Sequence, residues 1–261
     1  MRGLGERAAA AACGLLLTAG TIHANGLQVT NVVVSKRDNL TATVTFDIAW
    51  QNAWRYTNVN HDAAWVFFKA RQEGGTEWKH VRLAGTGPNP AGYSAGAGTA
   101  IDLTVPPDGA GLFVRRAAQG SGTLAATGVQ AVWDLSSTPI VKTSRAQLQA
   151  LAIEMAYVAE GAFEVGSGGT ESGSLTDGSW TSGGTIPFRI AGEGALAIAK
   201  TAGALWGTST SGRNTIGGAG TLPAAFPKGY APFYCMKHEI TQGQYADFLN
   251  TLTAAQATAR Y

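Results

Sequence analysis

The chain has 261 residues, which is enough for one large domain or two ordinary ones with a sizeable core. Charged residues make up 14% of the sequence, the formal net charge is +2, and no dense Lys/Arg run occurs, so the charge pattern typical of nucleic-acid-binding proteins is missing. The 35 glycines favour β-structure and loops over long solvated helices.

Residues 1–24 have the pattern of a secretory signal peptide. Two arginines precede an apolar run over 8–19, and Ala24 is a small residue suited to cleavage. The run is shorter than the roughly 20 residues of a spanning helix, so we expect no membrane span and a secreted, periplasmic or cell-surface location. Cys13 leaves a lipoprotein open, and a buried N-terminal helix is another alternative. Cleavage leaves Cys235 as the single cysteine, so no internal disulfide is expected.

Residues 25–140 are predicted to form a β-sandwich. The segment LTATVTFDIAW, from Leu40 to Trp50, places apolar side chains at every second position, as in a half-buried antiparallel strand. Six further strand-like segments, most of them separated by breaks that contain Gly, Pro, Asp or Asn, are LQVTNVVV, AAWVFFKAR, EWKHVRL, AIDLTV, GLFVRRA and VQAVWDL. Seven short strands with such breaks are typical of two packed sheets.

This region also holds five tryptophans and two histidines that need an interpretation. The tryptophans are interpreted as core and sheet-edge packing, with a carbohydrate-stacking platform as the alternative; they are Trp50, Trp54, Trp65, Trp78 and Trp133. The pair His61-Asp62 and the isolated His80 are predicted to be loop or surface residues rather than metal ligands, because a metal site needs convergent groups.

A polar segment after Leu135 predicts a domain boundary, with a linker over 141–150. The following segment predicts a short apolar strand, a turn at Glu160-Gly161 and a second strand. A Gly/Ser-rich insertion covers about 166–228, and within it TIPFRI and ALAIA are the strand-like segments. The rest of the insertion is predicted to be loop or poorly ordered.

The last segment predicts a strand from Phe233 to Ile240 and then a helix. Thr241 and Gln244 fit a capping box, in which each side chain bonds the backbone amide at the other's position. The helix carries an apolar stripe at i, i+3 and i+4, formed by Tyr245, Phe248 and Leu249, and such a stripe needs a partner surface. Thr253 is predicted to cap a second short helix over 254–260.

Three potentially reactive residues lie in or next to this strand. Cys235 is predicted to be a buried structural thiol, because reactive thiols need an accessible, electropositive setting. His238 and Glu239 are adjacent, so on a strand they point to opposite faces and do not form a metal site. We therefore predict no catalytic, cofactor-binding or metal-binding residue in this chain.

Two motifs of the chain resemble the formylglycine-generating enzyme, or sulfatase-modifying factor, family. The first family pattern, M-x-x-V-P-G-G-x-F-x-M-G, is matched at Met155, Val158, Gly161, Phe163 and Gly166. The second, F-x-x-x-x-x-E-V-T-x-x-x-Y-x-x-F, is matched at Phe233, Glu239, Ile240, Thr241, Tyr245 and Phe248. Departures from the first pattern are Ala159, Glu160 and Val165. The resemblance covers about residues 151–261.

The resemblance implies that 151–261 is the N-terminal part of a C-type-lectin-like α+β domain, preceded by an accessory sandwich. Catalytic members resemble copper-dependent oxidases that convert a sulfatase cysteine to formylglycine, and their paired cysteines lie further along the domain than this sequence reaches. The expected fold class is thus mostly β, with a β-sandwich and the start of a lectin-like domain.

Three functions remain open at this point. The leading hypothesis is an exported protein with a truncated sulfatase-modifying-factor-like domain, non-catalytic as given, that binds an unknown protein or glycan. The second is a fragment of a formylglycine-generating-type oxidase, for which copper is the cofactor of the full-length relative. The third is a carbohydrate-binding β-sandwich module.

Overall fold

The computed structural model describes residues 24–57, 59–137, 145–167, 171, 173–178, 180–181, 184–207 and 218–259. The expected signal peptide lies outside the described residues except for Ala24, and so does the first part of the expected linker, up to residue 144. Among the described residues no helix has the length and apolar character needed to span a membrane.

The chain is mostly β. The first ten strands are β1 (Gln28–Arg37), β2 (Thr41–Tyr56), β3 (Asn60–Gln72), β4 (Lys79–His80), β5 (Gly87–Pro88), β6 (Ala97–Gly98), β7 (Ile101–Val105), β8 (Leu112–Arg116), β9 (Gly120–Asp134) and β10 (Ala146–Val158). The remaining strands are β11 (Phe163–Val165), β12 (Leu175–Thr176), β13 (Trp180–Thr181), β14 (Gly184–Thr185), β15 (Phe188–Ile190), β16 (Leu196–Ile198), β17 (Trp206–Gly207), β18 (Gly220–Leu222) and β19 (Phe233–Met236). The described residues also form two α-helices, α1 (Gln242–Leu249) and α2 (Ala254–Thr258).

The main sheet is antiparallel and curled. Its strands follow the order β5-β7-β8-β3-β2-β9-β6, with β1 beside β2, β4 and β10 beside β3, and β19 beside β10. β2 and β3 pair only near their shared turn, at Arg55↔His61 and Tyr56↔Asn60, and then diverge. Because they diverge, the inner faces of the two halves of the sheet can close over a common core.

The core lies inside this curl. The inner face of β2 is formed by Ala42, Val44, Phe46, Ile48 and Trp50, all buried, as the alternating pattern predicted. Across the core the ring of Phe46 meets the ring of Phe68 on β3 edge-on, with 5.5 Å between centroids. Leu40 was expected on the same face but precedes β2 and is 65% exposed, so the alternation begins at Thr41.

The second half of the expected linker is not a linker. Residues 146–150 begin β10, which pairs with β3 without interruption from Ala146↔Gln72 to Ala156↔Asp62. The prediction was wrong at 146–150, where Ala146, Leu148 and Ala150 alternate with Gln147 and Gln149 as in a strand. The backbone of this segment forms hydrogen bonds with the edge of β3. Without them, the N–H and C=O groups at that edge would be unpaired.

The segment after β10 folds into small strand pairs. Here β11 pairs with β15, β12 with β17, β13 with β14, and β16 with β18. A second, smaller core holds Phe188, Ile190 and Leu205. The strand-like segments TIPFRI and ALAIA contain β15 and β16, but the two-residue strands around them were not anticipated. A strand of two residues has no periodicity that a sequence could reveal.

The C-terminal segment returns to the main sheet. β19 pairs antiparallel with the end of β10, from Met155↔Met236 to Val158↔Phe233. The predicted strand to Ile240 therefore ends four residues early, at Met236. Both predicted helices are present, and Thr241–Gln244 and Thr253–Gln256 form complete capping boxes.

Candidate functional site

A groove with a volume of about 530 Å³ separates α1 from the main sheet. Residues 27–30, which include the start of β1, form one wall, and residues 150–153 of β10 form the floor. Phe67 on β3 extends the floor, and Tyr245 and Phe248 on α1 form the opposite wall. A cavity of this size, mostly apolar with a few polar groups, has the dimensions of a small-molecule site.

The floor of the groove is the outer face of the sheet. Phe67 pairs with Leu151, and Trp65 pairs with Ile153, so these four side chains share the face that points away from the core. On the opposite side of β3, Val66 and Phe68 are fully buried in the core. β3 is therefore apolar on both faces, which is the pattern of a strand covered on both sides.

Helix α1 covers the floor incompletely. No residue of α1 is buried, Tyr245 is 47% exposed, and Phe248 and Leu249 are half-buried. The apolar stripe predicted from the sequence is present, but only part of it rests on the sheet. The uncovered part of the stripe and the outer face of β10 together form the groove.

Polar residues line the groove from β1, as Gln28 and Thr30, and from α1, and Lys69 of β3 lies near Phe248 without lining the groove. Gln244 and Asp247 line it from the helix. Lys69, the next outward residue of β3 after Phe67, is only 7% exposed and its Nζ lies 6.0 Å from the centre of the Phe248 ring. Burial lowers the pKa of the Lys69 ammonium, because desolvation disfavours the charged form. Within the described part of the chain, no carboxylate forms an ion pair with Lys69.

A buried ionic cluster lies at the far end of β10. Lys237 Nζ, which follows β19, lies 2.8 Å from Asp62 Oδ2 and 3.6 Å from Glu154 Oε2. The backbone N–H of Trp54 donates to Asp62 Oδ1 at 2.8 Å, and Asn25 Nδ2 donates to Glu154 Oε2 at 3.0 Å. The cluster links four segments that are far apart in the chain, so it has a structural role.

A cluster of aromatic rings covers His61 beside the ionic cluster. His61 stacks on Tyr157 with 4.6 Å between centroids, and its Nε2 lies 2.9 Å from the Tyr234 hydroxyl. Burial lowers the pKa of His61 and raises the pKa of Tyr234 to about 12. Phe113 stacks on Tyr234 with 3.9 Å between centroids. The aromatic rings therefore cover this side of the sheet, and His61 is packed against them.

Several candidate residues lie elsewhere than the sequence predicted. His61 and Asp62 were expected in a loop or on the surface, but both are 1% exposed within β3, because β10 and β19 cover them. His80 was also expected at the surface; it is half-buried in β4, and its Nε2 lies 2.6 Å from the carbonyl oxygen of Ala110. Cys235 was expected to be buried but is exposed on β19, which lies at the edge of the sheet.

The remaining candidates do not converge. His238 Nε2 lies 3.9 Å from Glu154 Oε2, and Glu239 is exposed. The described residues include no group of three or more His, Cys, Asp or Glu side chains placed to hold a metal ion.

The five tryptophans of the first region are mostly packed. Trp50 and Trp133 are buried, and Trp54, Trp65 and Trp78 are half-buried. The Arg71 guanidinium lies over Trp78 at 4.8 Å, and the Trp65 ring rests against Phe113 at 4.6 Å. Core and sheet-edge packing therefore describes these side chains.

Neither Lys69 nor the groove was predicted from the sequence. The segment AWVFFKAR could have indicated that Lys69 is buried, because apolar residues occupy both faces of this strand. A strand covered on both faces implies that a lysine within it is covered as well. The groove itself depends on where α1 docks, and the sequence does not specify that position.

Comparisons with protein-family models, with curated proteins and with solved structures find no match for this chain. The groove and the clusters around it are therefore interpreted from their own geometry.

Proposed function

We propose that this chain is an exported binding protein and that the groove between α1 and β10 holds its ligand. The observation that carries the proposal is the 530 Å³ apolar groove whose helix wall keeps Tyr245 47% exposed. Large apolar surfaces left open in a folded protein generally mark binding sites. The described lining residues include no cysteine or histidine, so the lining suits retention of a ligand rather than chemistry on it.

In this proposal the two regions keep the identities suggested by the sequence. Residues 25–140 are an accessory β-sandwich, and residues 151–261, which begin within β10, are the N-terminal part of a domain like those of sulfatase-modifying factors. Support comes from the two family motifs, which lie on paired strands: Met155 opposite Met236 and Val158 opposite Phe233. Gly166, a motif position, has φ +96°, and a Cβ there would come within 1.9 Å of the Leu175 carbonyl oxygen, so the position requires glycine.

The proposal predicts saturable binding of an uncharged apolar fluorophore to the full chain. Phe248→Ala removes part of the helix wall, and we expect it to weaken binding by about tenfold, since deleting a buried aromatic contact costs more than 1 kcal/mol. Phe226→Ala is the matched control, because Phe226 is 55% exposed and does not line the groove. Circular dichroism would check that both variants fold. Binding that does not saturate, or equal effects of the two substitutions, would contradict the proposal.

The oxidase alternative is tested by a different measurement. A fragment of a formylglycine-generating-type oxidase belongs to a longer protein that takes up copper and consumes oxygen with thiol substrates. Retention of a ligand by that longer protein without oxygen consumption favours the binding function.

A further inference from the structure

We propose that the ligand of the groove is a small amphiphilic amine, with its apolar chain against Phe67 and Phe248 and its ammonium group at the buried carboxylate of Glu154. This inference rests on the proposed function, in that the groove must be the binding site. It adds the chemical class of the ligand and names the residue that recognises its charged end.

A small cavity adjoins the groove between β10 and residues 238–240. Its volume is about 20 Å³, and its lining includes Glu154, His238 and Glu239. Four residues line both the groove and this cavity: Leu27, Ile153, Ile240 and Gln244. A space of this volume holds one water-sized group, and an ammonium group is about that size. A ligand chain that occupies the groove can therefore place a terminal ammonium group in the cavity.

The carboxylate of Glu154 offers an unused acceptor at this cavity. The residue is only 5% exposed, and its Oε2 accepts from Asn25 Nδ2 at 3.0 Å. Its Oε1 is also buried but accepts no hydrogen bond from any residue that the structure describes. Buried carboxylate oxygens normally have a donor, because they lose their hydration on burial. An ammonium N–H in the cavity would donate to Oε1 and so supply the missing partner.

Lys237 does not balance the charge of Glu154. Its Nζ lies 2.8 Å from Asp62 Oδ2 and 3.6 Å from Glu154 Oε2, so it pairs more closely with Asp62. One lysine compensates one of these two buried carboxylates, and the pair keeps one negative charge in excess. A buried excess charge acts through a lower effective dielectric than an exposed one, and it attracts a cation more strongly.

His238 does not supply the second positive charge. The Asn25 amide is oriented by Asn52 Nδ2, which donates to Asn25 Oδ1 at 3.0 Å. Asn25 Nδ2 therefore faces His238 Nε2, also at 3.0 Å, and an amide nitrogen can only donate. Nε2 is thus an acceptor and offers no N–H to the carboxylate of Glu154, from which it is 3.9 Å away.

The other charges near the ligand favour the same assignment. Glu239 lines the cavity and Asp247 lines the groove; both are exposed and acidic, and the described residues that line the two spaces include no lysine or arginine. Lys69 pairs with Gln149, five positions before Glu154 on β10 and thus roughly 17 Å away along the strand. Its repulsion of an ammonium group at Glu154 is therefore small.

The test compares three probes of equal chain length on the full chain by isothermal titration calorimetry at pH 7: octylammonium, octanol and octanoate. An alkylamine is cationic at this pH, as the lysine side chain is. We expect octylammonium to bind about tenfold more tightly than octanol, since a charge-assisted hydrogen bond is worth at least that factor. Octanoate should bind most weakly.

Substitutions assign the preference to one carboxylate. Glu154→Gln keeps the size of the side chain but removes its charge, and it should abolish the preference for octylammonium over octanol. Glu77→Gln, at an exposed residue that lines neither space, is the matched control and should leave the preference unchanged. Asp247→Asn removes the exposed charge of the groove and should lower the preference by about twofold at most. Circular dichroism would check that the variants fold.

A methylated probe tests the same assignment on the unaltered protein. Octyltrimethylammonium carries the same charge as octylammonium, but it has no N–H donor and its head is too large for a cavity of about 20 Å³. We expect it to bind no more tightly than octanol. Equal binding of the two cations would assign the preference to the general negative charge of the surface and refute the role of Glu154.

The possible outcomes separate the two proposals. Equal binding of octylammonium and octanol, with both weakened in Phe248→Ala, refutes the ammonium assignment and leaves the groove as the binding site. A preference that survives Glu154→Gln, or that Asp247→Asn abolishes, refutes the role of Glu154. If no octyl probe binds but the apolar fluorophore does, the ligand class alone is wrong. If the fluorophore does not bind either, the proposed function is wrong as well.

Discussion

Asp62 shows how single polar side chains become buried in this protein. Its two carboxylate oxygens accept from the Trp54 backbone and from Lys237, each at 2.8 Å, and the side chain is 1% exposed. Lys237 is 175 residues away in the chain. A buried carboxylate tolerates such a position only while its partners remain in place.

Replacement of Lys237 by methionine tests this dependence. The variant leaves Asp62 and Glu154 buried without their cation, and we expect the free energy of unfolding to fall by about 3 kcal/mol. That is the low end for a buried pair, because Lys237 keeps 18% of its side chain exposed. Urea denaturation measures the change, with Lys79→Met as the exposed control. A loss below about 1 kcal/mol, the value of a surface pair, would show that the cluster is not structural.

His61, which is buried, and His80, which is half-buried, predict a pH dependence of stability. Burial is the largest cause that lowers the folded-state pKa of His61 and of His80 from the ordinary value of 6.5. As the pH falls through 6.5, the unfolded chain takes up these protons before the folded chain does. The free energy of unfolding should therefore decrease as the pH falls below about 6.5, by up to about 1.4 kcal/mol per pH unit for each histidine.

Substitution of the histidines isolates their contribution. Denaturation curves of the double variant His61→Gln, His80→Gln should lose most of the slope just below about pH 6.5, which lies above the ordinary carboxylate range. Each single variant should lose at most the part of this slope that the uptake of one proton contributes. A double variant that keeps the full slope would assign the pH dependence to other groups.

At the scale of elements, the helices were the most predictable features. A capping box involves four consecutive residues, so Thr241 and Gln244 specify the start of α1 without any tertiary information. The same holds for Thr253 and Gln256 at α2, which ends at Thr258, slightly earlier than predicted. Local hydrogen bonds determine these boundaries.

Removal of the first cap should loosen the groove wall. Thr241→Ala deletes the oxygen that accepts from the Gln244 amide at 3.1 Å, and we expect α1 to lose about 1 kcal/mol. Amides of 245–249 should then exchange with deuterium about fivefold faster, as measured by NMR or mass spectrometry. Thr253→Ala is the matched control at α2, and equal exchange in the two variants would show that the cap does not hold α1.

The strand predictions were confirmed in most detail where one face meets the core. The alternation of β2 was confirmed because every second side chain is buried, and the apolar second half of β10 was also predicted as a strand, whereas residues 146–150 at its start were assigned to a linker. The identity of β10 as a strand depends on the free edge of β3, which lies about eighty residues earlier in the chain. The local sequence does not specify which distant strand β10 pairs with.

On the scale of the whole molecule, β10 joins the two regions that the sequence suggested as separate domains. It pairs with β3 along eleven consecutive residues and with β19 along its last four. The expected boundary at residue 140 would cut through this arrangement and expose the edge of β3.

Two fragments test the boundary. A fragment over 25–140 should self-associate, because the open edge of β3 offers unpaired backbone groups to other chains. A fragment over 25–160 retains β10 and should elute as a monomer in size-exclusion chromatography, with a higher midpoint of denaturation. Equal behaviour of the two fragments would restore the boundary at 140.

The sequence by itself determined the mostly β character, the core face of β2, the two helix caps and the apolar stripe of α1. These features depend on periodicity and on hydrogen bonds between near neighbours, which the order of residues encodes directly. Only the tertiary structure decided that His61 and Asp62 are buried, that Cys235 is exposed, and that Lys69 lies beside an apolar groove. The exposure of each of these residues depends on which strand or helix packs over it, and that strand or helix is formed by residues far away in the chain.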